Sequence, residues 1–183
     1  NFTWSIIRPT SVWGPWCEDG YTMFFKTIDR NLYMHPGPDE IIKPMTYVGN
    51  TADMICKILF SEKETVHQGT FYLSDYPECS TRQWARLIQE NLRVKKIKTA
   101  PLWLMKLIAI TGDCFKLLGY PHPPLTSFRL NNMLTGGNYP INNTMTVCKD
   151  LPFTVKEGVA LTLEWLYKKD EIRNKPQLKS KRH

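Results

Sequence analysis

The chain lacks the short motifs that commonly identify a phosphate-binding loop or a catalytic centre. It contains no G-x-G-x-x-G turn, no G-x-x-x-x-G-K loop, no H-E-x-x-H helix and no G-x-S-x-G elbow. Only ten of its 183 residues are glycine, and they are scattered along the sequence. These residues therefore provide no glycine-rich cradle for a pyrophosphate and no signature of a zinc protease or a serine hydrolase.

Clustered metal ligands and disulfide spacings are also missing. The five cysteines are odd in number, widely separated, and include no C-x-x-C pair. We expect reduced thiols, mostly buried, in a cytoplasmic protein without a metal site. The histidines lie far apart in predicted loops or in the tail, and we predict no catalytic residue among them. They are His35, His67, His122 and His183.

Long apolar runs are absent, and the positive charge is concentrated at one end. The most apolar stretch, 102–110, contains Lys106 and is far shorter than the ~20 residues that span a bilayer. The net charge is +7, but residues 168–183 hold seven Lys or Arg against two acids. We therefore predict a solvated basic tail at 168–183, and neither a membrane nor a nucleic acid as a partner.

The pattern of apolar residues predicts alternating strands and helices. Short runs rich in β-branched and aromatic residues predict strands at 5–8 and 70–73, and 41–48 can be extended. Helical spacing predicts helices at 22–31 and 51–60, and others beginning near residues 81, 102, 125 and 155. Segments 80–83 and 154–157 fit the capping-box pattern. Alternating strands and helices indicate an α/β fold.

Residues 5–15 are a candidate binding segment. A short strand is expected to stop at Pro9, because proline has no N–H for a ladder, and to pass through Thr10 and Ser11 into a Gly14–Pro15 turn. In open α/β sheets, ligands bind just beyond the carboxyl ends of strands. This pattern also fits an ordinary buried strand followed by a turn.

Four segments, in order and spacing, resemble the extended short-chain dehydrogenases/reductases, the NAD-dependent epimerases and dehydratases. Segment 8–15 looks like their R-P-x-x-V-Y-G-P motif, and 43–53 is similar to R-x-x-x-Y-V-x-D-x-A. Segment 69–80 resembles their G-x-x-Y-N strand and turn. Segment 151–165 resembles their C-terminal L-G-(F/Y)-x-P…E-G…W ending. The resemblance extends to about residue 167.

The resemblance implies the C-terminal part of a Rossmann-like doubly wound sheet plus a small, mostly helical substrate-binding subdomain. In the family, a glycine-rich turn and a Tyr-x-x-x-Lys pair precede the segment matched by 5–15, and neither is present here. We therefore expect 1–167 to be the C-terminal half of a longer enzyme that binds NAD or NADP. We expect this chain alone to bind no cofactor, to contain no catalytic residue and to show no NAD-linked turnover.

The resemblance also implies roles for seven residues. Pro9, Thr10 and Ser11 would lie beside the nicotinamide of the cofactor. Val12 and Trp13 would line the substrate cleft.

Two basic residues complete this set. Lys43 stands where many relatives have an arginine that pairs with the substrate diphosphate, and lysine keeps the charge but loses the bidentate fork. Segment 135–137 lacks a second phosphate-binding arginine, for which Arg129 could substitute. Asn50, where the family has an acid, is predicted to be a helix N-cap.

Three functional hypotheses remain open. The first, which we favour, is the substrate-binding half of a nucleotide-sugar epimerase, dehydratase or reductase. The second is a hydroxysteroid-dehydrogenase-like reductase of the same family, which the non-arginine position 43 and the apolar 102–118 region favour slightly. The third is a noncatalytic interaction module with a basic tail. Strand edges at 5–12 and 70–73, left open by a missing N-terminal half, also predict self-association.

Overall fold

A computed structural model describes residues 2–17, 21–120, 123 and 125–177, which form a mixed α/β fold. Within these ranges, no helix is both long and apolar enough to cross a bilayer. Strands and helices alternate as the sequence predicts. The strands are β1 (Ile6–Pro9), β2 (Ser11–Trp13), β3 (Met34–Pro36), β4 (Met45–Tyr47), β5 (Thr70–Leu73) and β6 (Lys98–Ala100). The helices are α1 (Tyr21–Asp29), α2 (Val48–Leu59), α3 (Lys63–Val66), α4 (Thr81–Leu92), α5 (Leu102–Leu117), α6 (Ser127–Leu134), α7 (Asn142–Val147) and α8 (Val155–Lys168).

The strands pair in parallel, two at a time. β1 pairs with β5, with Ile6 opposite Thr70, and β2 pairs with β4. β3 and β6 form a third pair. Parallel strands need a crossover between them, and α1, α2 and the intervening loops provide it. Small parallel sheets connected by helices confirm the predicted α/β fold class.

At one residue, Thr10, the chain leaves its pairing with strand β5 and begins to pair with strand β4. The Thr10 N–H and hydroxyl both donate to the Leu73 carbonyl, at 3.0 and 2.7 Å, and close the β1–β5 pair. Ser11 then begins the β2–β4 pair opposite Met45. The first strand does stop at Pro9 as predicted, but the prediction of a loop directly after it was wrong, because Ser11–Trp13 form a second strand. The second strand depends on a partner more than 30 residues away, which the local pattern does not reveal.

The main core surrounds Trp13 at the end of β2. Its ring lies 5.1 Å from the Trp84 ring of α4 and 5.2 Å from the Tyr47 ring of β4, measured between centroids. Helix α8 completes this core with three fully buried apolar residues, Val159, Leu163 and Leu166. At Gly158 a side chain would collide with Trp13 and Tyr47, because a Cβ there would lie 2.9 and 2.8 Å from their rings. Glycine therefore lets α8 lie directly on the aromatic cluster.

A second, smaller core lies under the mostly helical part of the fold. Met105 and Ala109 of α5 pack with Leu130 of α6 and Ala100 of β6. Helix α5 approaches the segment just before α6 closely at Gly112, where a Cβ would lie 1.8 Å from the Leu125 carbonyl oxygen. This unit is the small helical subdomain that the resemblance implies.

Side-chain caps begin α4 and α8. Ser80 accepts a hydrogen bond from the Gln83 N–H at 3.1 Å, which is half of the predicted capping box. Thr154 accepts from the Glu157 N–H, and the Glu157 carboxylate accepts from the Thr154 N–H, so the second capping box is complete. The sequence pattern therefore located both helix starts correctly.

Residues 169–177 pack against the rest of the fold, although the sequence predicted a solvated tail from residue 168 onward. The buried Asp29 carboxylate accepts hydrogen bonds from the Arg173 and Asn174 N–H groups at 2.9 and 3.0 Å. Ile172 is buried in the main core, and Glu171 pairs with Lys26 at 2.8 Å. The apolar Ile172 and the buried Asp29 acceptor hold this segment in place despite its positive charge. The rest of the predicted tail, 178–183, lies outside the described residues.

Candidate functional site

An open cleft of about 320 Å³ lies at the junction where β1 ends and β2 begins. One wall is Pro9, Thr10 and Ser11, at the carboxyl end of β1. The opposite walls come from the segment before β4 and from the segment after α6. They are Lys43, Pro44, Thr135, Gly136, Gly137 and Tyr139. Three distant segments thus meet at the carboxyl end of a parallel strand, where α/β folds commonly bind ligands.

The change of pairing partner at Thr10 presents its two neighbours to the cleft. Thr10 is half-buried and bound to Leu73, whereas Pro9 and Ser11 on either side are exposed. The backbone here is fixed by the β1–β5 and β2–β4 ladders, so this wall is set before any ligand arrives. Hydroxyl and carbonyl groups at such a wall can donate to and accept from a polar ring.

Lys43 supplies a cation that has no partner in the described part of the chain. Its side chain is half-buried and makes no ion pair or hydrogen bond there. Burial lowers the pKa of its ammonium group from the usual value. A small cavity on its other side is lined by Trp13, Asp75 and Glu78, and neither acid forms an ion pair with it. An anion entering the cleft would therefore compensate an incompletely solvated charge.

An aromatic wall flanks the cleft at Tyr139. Its ring stacks on Tyr72 of β5, with centroids 5.1 Å apart and planes 22° from parallel. Arg8 of β1 donates to the Tyr72 hydroxyl at 2.8 Å. This series of contacts fixes Tyr139 against the sheet, so its ring can form a stable side of the cleft.

The structure brings together four of the seven residues that the resemblance assigned to ligand binding. Pro9, Thr10, Ser11 and Lys43 all line the cleft. Trp13 does not line it, because its ring is 1% exposed and fills the main core.

The other two assigned residues also lie outside the cleft wall. Val12 is half-buried in β2 opposite Thr46. Arg129 lies on the exposed side of α6, where its guanidinium donates to the Pro123 carbonyl at 2.9 Å. Both remain predictions as substrate contacts.

Sequence reasoning overlooked the contribution of Tyr139. The sequence drew attention to Gly136 and Gly137 because an arginine is missing there, yet these two residues let the chain approach the segment before β4. A Cβ at Gly136 would lie 2.8 Å from the Ile42 carbonyl oxygen, and Gly137 donates its N–H to the same oxygen at 3.3 Å. The glycine pair was the available signal for this close approach, and Tyr139 follows it by two residues.

Within the described ranges, no group of three His, Cys, Asp or Glu side chains is arranged to hold a metal ion. What the cleft offers instead is an ammonium group, hydroxyls, backbone groups and one aromatic ring. Such a set can bind and orient a polar or anionic molecule.

Comparison with solved structures finds the same fold in sugar-nucleotide enzymes. The chain resembles the crystal structure of UDP-glucose 4-epimerase from Thermotoga maritima with UDP-glucose, with a TM-score of 0.60, 15% identity, and coverage of 93% of this chain and 48% of that one. It also resembles UDP-glucuronic acid 4-epimerase from Bacillus cereus with UDP-glucuronic acid and NAD, with a TM-score of 0.58, 12% identity, and coverage of 90% and 45%. A human epimerase family protein with NADPH gives a TM-score of 0.61, 13% identity, and coverage of 87% and 48%.

Among curated proteins, the chain is similar to the 3β-hydroxysteroid dehydrogenase/Δ5→4-isomerases of vaccinia virus (strain Western Reserve) and monkeypox virus. Identity is 22% in each case, over 75% of this chain and 39% of the viral protein. No protein-family model matches the chain. The chain thus spans about two fifths of these relatives and about half of the solved structures.

Proposed function

We propose that this chain, which has the fold of the extended short-chain dehydrogenases/reductases, forms the substrate-binding half of an NAD(P)-dependent epimerase, dehydratase or reductase acting on a nucleotide sugar. The observation that carries the proposal is the unpaired, half-buried Lys43 in the same cleft as Pro9, Thr10 and Ser11. The relatives of known structure include enzymes solved with UDP-sugars and with NAD or NADPH.

The walls of the cleft would have different roles, one contacting the cofactor and the other binding the substrate. Pro9, Thr10 and Ser11 would contact the nicotinamide end of a cofactor whose phosphates are held by another part of the enzyme. Bound NAD(P) would supply hydride transfer. Residues of this chain would orient the ring and the substrate relative to each other and exclude water from one side.

Lys43 would bind the diphosphate of the substrate. A charge-assisted hydrogen bond from a partly desolvated ammonium group contributes roughly 1.5–3 kcal/mol. Thr135 and Gly136, on the same side of the cleft as Lys43, would supply further polar contacts at close range. We place no catalytic residue in this chain and expect no NAD-linked turnover from it alone.

A hydroxysteroid substrate is the second candidate. The similarity to the viral 3β-hydroxysteroid dehydrogenases favours it, as do Pro9, Pro44 and the Tyr139 ring as apolar surfaces in the cleft. The ammonium group and hydroxyls of the same cleft favour an anionic, polar substrate more strongly. A noncatalytic module is the third candidate and predicts that neither ligand class binds in the cleft.

Ligand titration by NMR of the isotope-labelled chain tests the proposal. We expect UDP-glucose to shift resonances of 9–11, 43 and 135–139, and Lys43→Met to weaken binding about 10-fold or more, because the anion loses its cation. Lys156→Met, an exposed lysine at the start of α8, is the matched control and should leave binding unchanged.

The alternatives give different results in the same titration. Shifts at the cleft with a 3β-hydroxysteroid but not with UDP-glucose would favour the second candidate. No shifts with either class would contradict both enzyme hypotheses. Incubation with NAD and UDP-glucose should yield no product, and detectable turnover would disprove the predicted inactivity.

A further inference from the structure

One face of α5 is apolar and uncovered in the part of the chain that the structure describes. Met105 and Ala109 face inward and pack against the α6 side of the fold. The opposite face exposes a line of side chains with exposed fractions of 68, 54, 55 and 88% for Trp103, Leu107, Ile110 and Leu117, together with the exposed Cys114. A helix that is apolar on both sides requires a second partner for its outer face.

The spacing of this outer stripe, Trp103–Leu107–Ile110–Cys114–Leu117, identifies the kind of partner. The intervals are four, three, four and three residues, which is the repeat of a helix that packs against another helix along one seam. The stripe runs along nearly the whole of α5. A helix of matching length and the same apolar repeat would cover it.

Two charged residues on one edge of the stripe make it complementary to itself. Lys106 and Asp113 lie seven residues apart, about 10 Å along the helix, on the same flank. An antiparallel second copy would bring its Asp113 opposite Lys106 and its Lys106 opposite Asp113. A parallel copy would bring the uncharged Thr111 opposite Lys106 instead.

These two charges are available for such pairing. Lys106 is exposed and makes no ion pair within the described residues. The Asp113 carboxylate accepts from the Ser127 N–H at 3.2 Å, which orients it while leaving further lone pairs free.

We propose that α5 is a self-association surface through which two copies of this chain form an antiparallel helix pair. The occupant of the stripe is a second copy, because the apolar repeat and the Lys106–Asp113 charges match themselves when one helix is reversed. Such an isologous contact closes on itself and gives a dimer. This surface is separate from the cleft, and the inference does not depend on the proposed function.

Sedimentation velocity from about 1 to about 100 µM tests the proposal. The wild-type chain should form a concentration-dependent dimer, and Ile110→Lys should raise the dissociation constant about 30-fold or more, because it places two charges at the centre of the seam. Leu59→Lys is the matched control, since Leu59 is 67% exposed at the end of α2, away from the stripe. Far-UV circular dichroism verifies that each variant is folded.

A charge-exchange experiment tests the antiparallel arrangement. Lys106→Glu and Asp113→Lys should each weaken the dimer about threefold to tenfold, because each places like charges opposite each other. An equimolar mixture of the two variants should associate more tightly than either alone, since each of its flanking pairs is again of opposite sign.

Four results would overturn the proposal. In sedimentation, they are a monomer at all concentrations, a dimer that Ile110→Lys leaves intact, and a mixture of the two charge variants that associates no more tightly than either variant alone. The fourth is co-sedimentation of a monomeric chain with phosphatidylcholine vesicles that Ile110→Lys abolishes. The last result would assign the stripe to a membrane surface.

Discussion

Asn50 connects three parts of the chain through one buried side chain. Its amide nitrogen donates to the Asp75 carboxylate and to the Phe153 carbonyl, each at 2.9 Å, and its oxygen accepts from the Phe153 N–H at 3.0 Å. The Asp75 carboxyl also accepts from Thr46 and from the Tyr47 N–H. Burial raises the pKa of Asp75, and these hydrogen bonds oppose that rise.

We predict that Asn50→Ala lowers the free energy of unfolding by about 3 kcal/mol or more. The change removes one of the three donors to the buried Asp75 carboxylate and deprives both backbone groups of the half-buried Phe153 of their partner. Urea unfolding measures the effect. Asn143→Ala is the control, because Asn143 is exposed and makes a single bond to the Thr70 carbonyl. A loss below about 1 kcal/mol for Asn50→Ala would contradict this account.

The sequence predicted a different role for Asn50, as a helix N-cap, and that prediction was wrong. The N-cap of α2 is Tyr47, and Asn50 lies within the first turn. Its hydrogen bonds go to residues 25 and 103 positions away. A local pattern cannot show such partners, because they are close only after the chain has folded.

At the scale of elements, helices and strands were predicted correctly where neighbouring residues in the sequence determine them. Residues 70–73 form β5 as expected, and α4 and α8 begin at the predicted caps. The prediction missed β2, β3 and the short helices α3 and α7. The position of β2 is set by β4, and that of α7 by tertiary bonds such as the one from Thr144 to the Tyr72 carbonyl.

We predict that Thr154→Ala lowers the free energy of unfolding by about 1 kcal/mol, because it removes the cap that satisfies the Glu157 N–H. Losing this cap should destabilise the whole fold and not only the helix end, since α8 contributes Val159, Leu163 and Leu166 to the core. Chemical unfolding monitored by circular dichroism gives the value. Thr111→Ala, an exposed threonine inside α5, serves as control and should leave stability within about 0.5 kcal/mol of the wild type. Equal losses in the two variants would argue against a capping effect.

At the scale of the whole molecule, the cleft is the feature that the sequence could only partly anticipate. The resemblance placed Pro9, Thr10, Ser11 and Lys43 at a ligand site, and the structure brings them to one cleft. Tyr139 could not be placed, because its position depends on stacking against Tyr72. Motif spacing locates residues along the chain, whereas the cleft is made by three segments that meet through tertiary packing.

We predict that the chain loses stability as pH falls from about 6.5 towards 4. Burial, followed by the positive charge of Arg82, lowers the pKa of His35 to about 4 from 6.5, and Glu40 opposes the shift. The unfolded chain therefore binds a proton at higher pH than the folded one. The stabilisation that comes from keeping His35 neutral is complete above about pH 6.5 and is lost as pH falls through the folded-state pKa of about 4.

Urea unfolding at several pH values isolates this contribution. His35→Asn retains an acceptor near the Tyr33 hydroxyl, which lies 3.3 Å from Nδ1 of His35, but does not titrate. Its stability should therefore fall less than that of the wild type between pH 6.5 and 4. His67→Asn, at an exposed position, should behave as the wild type does. Parallel pH profiles for wild type and His35→Asn would rule His35 out as the source.

The close contact of Trp13 and Trp84 has a spectroscopic consequence. Two indole rings 5.1 Å apart and inclined at 61° form a pair whose excited states couple, which produces an exciton signal in circular dichroism. Both rings are buried where β2 meets α4, so the signal exists only while those elements are assembled. The protein therefore contains its own unlabelled optical reporter of core assembly, distinct from the backbone signal of its helices.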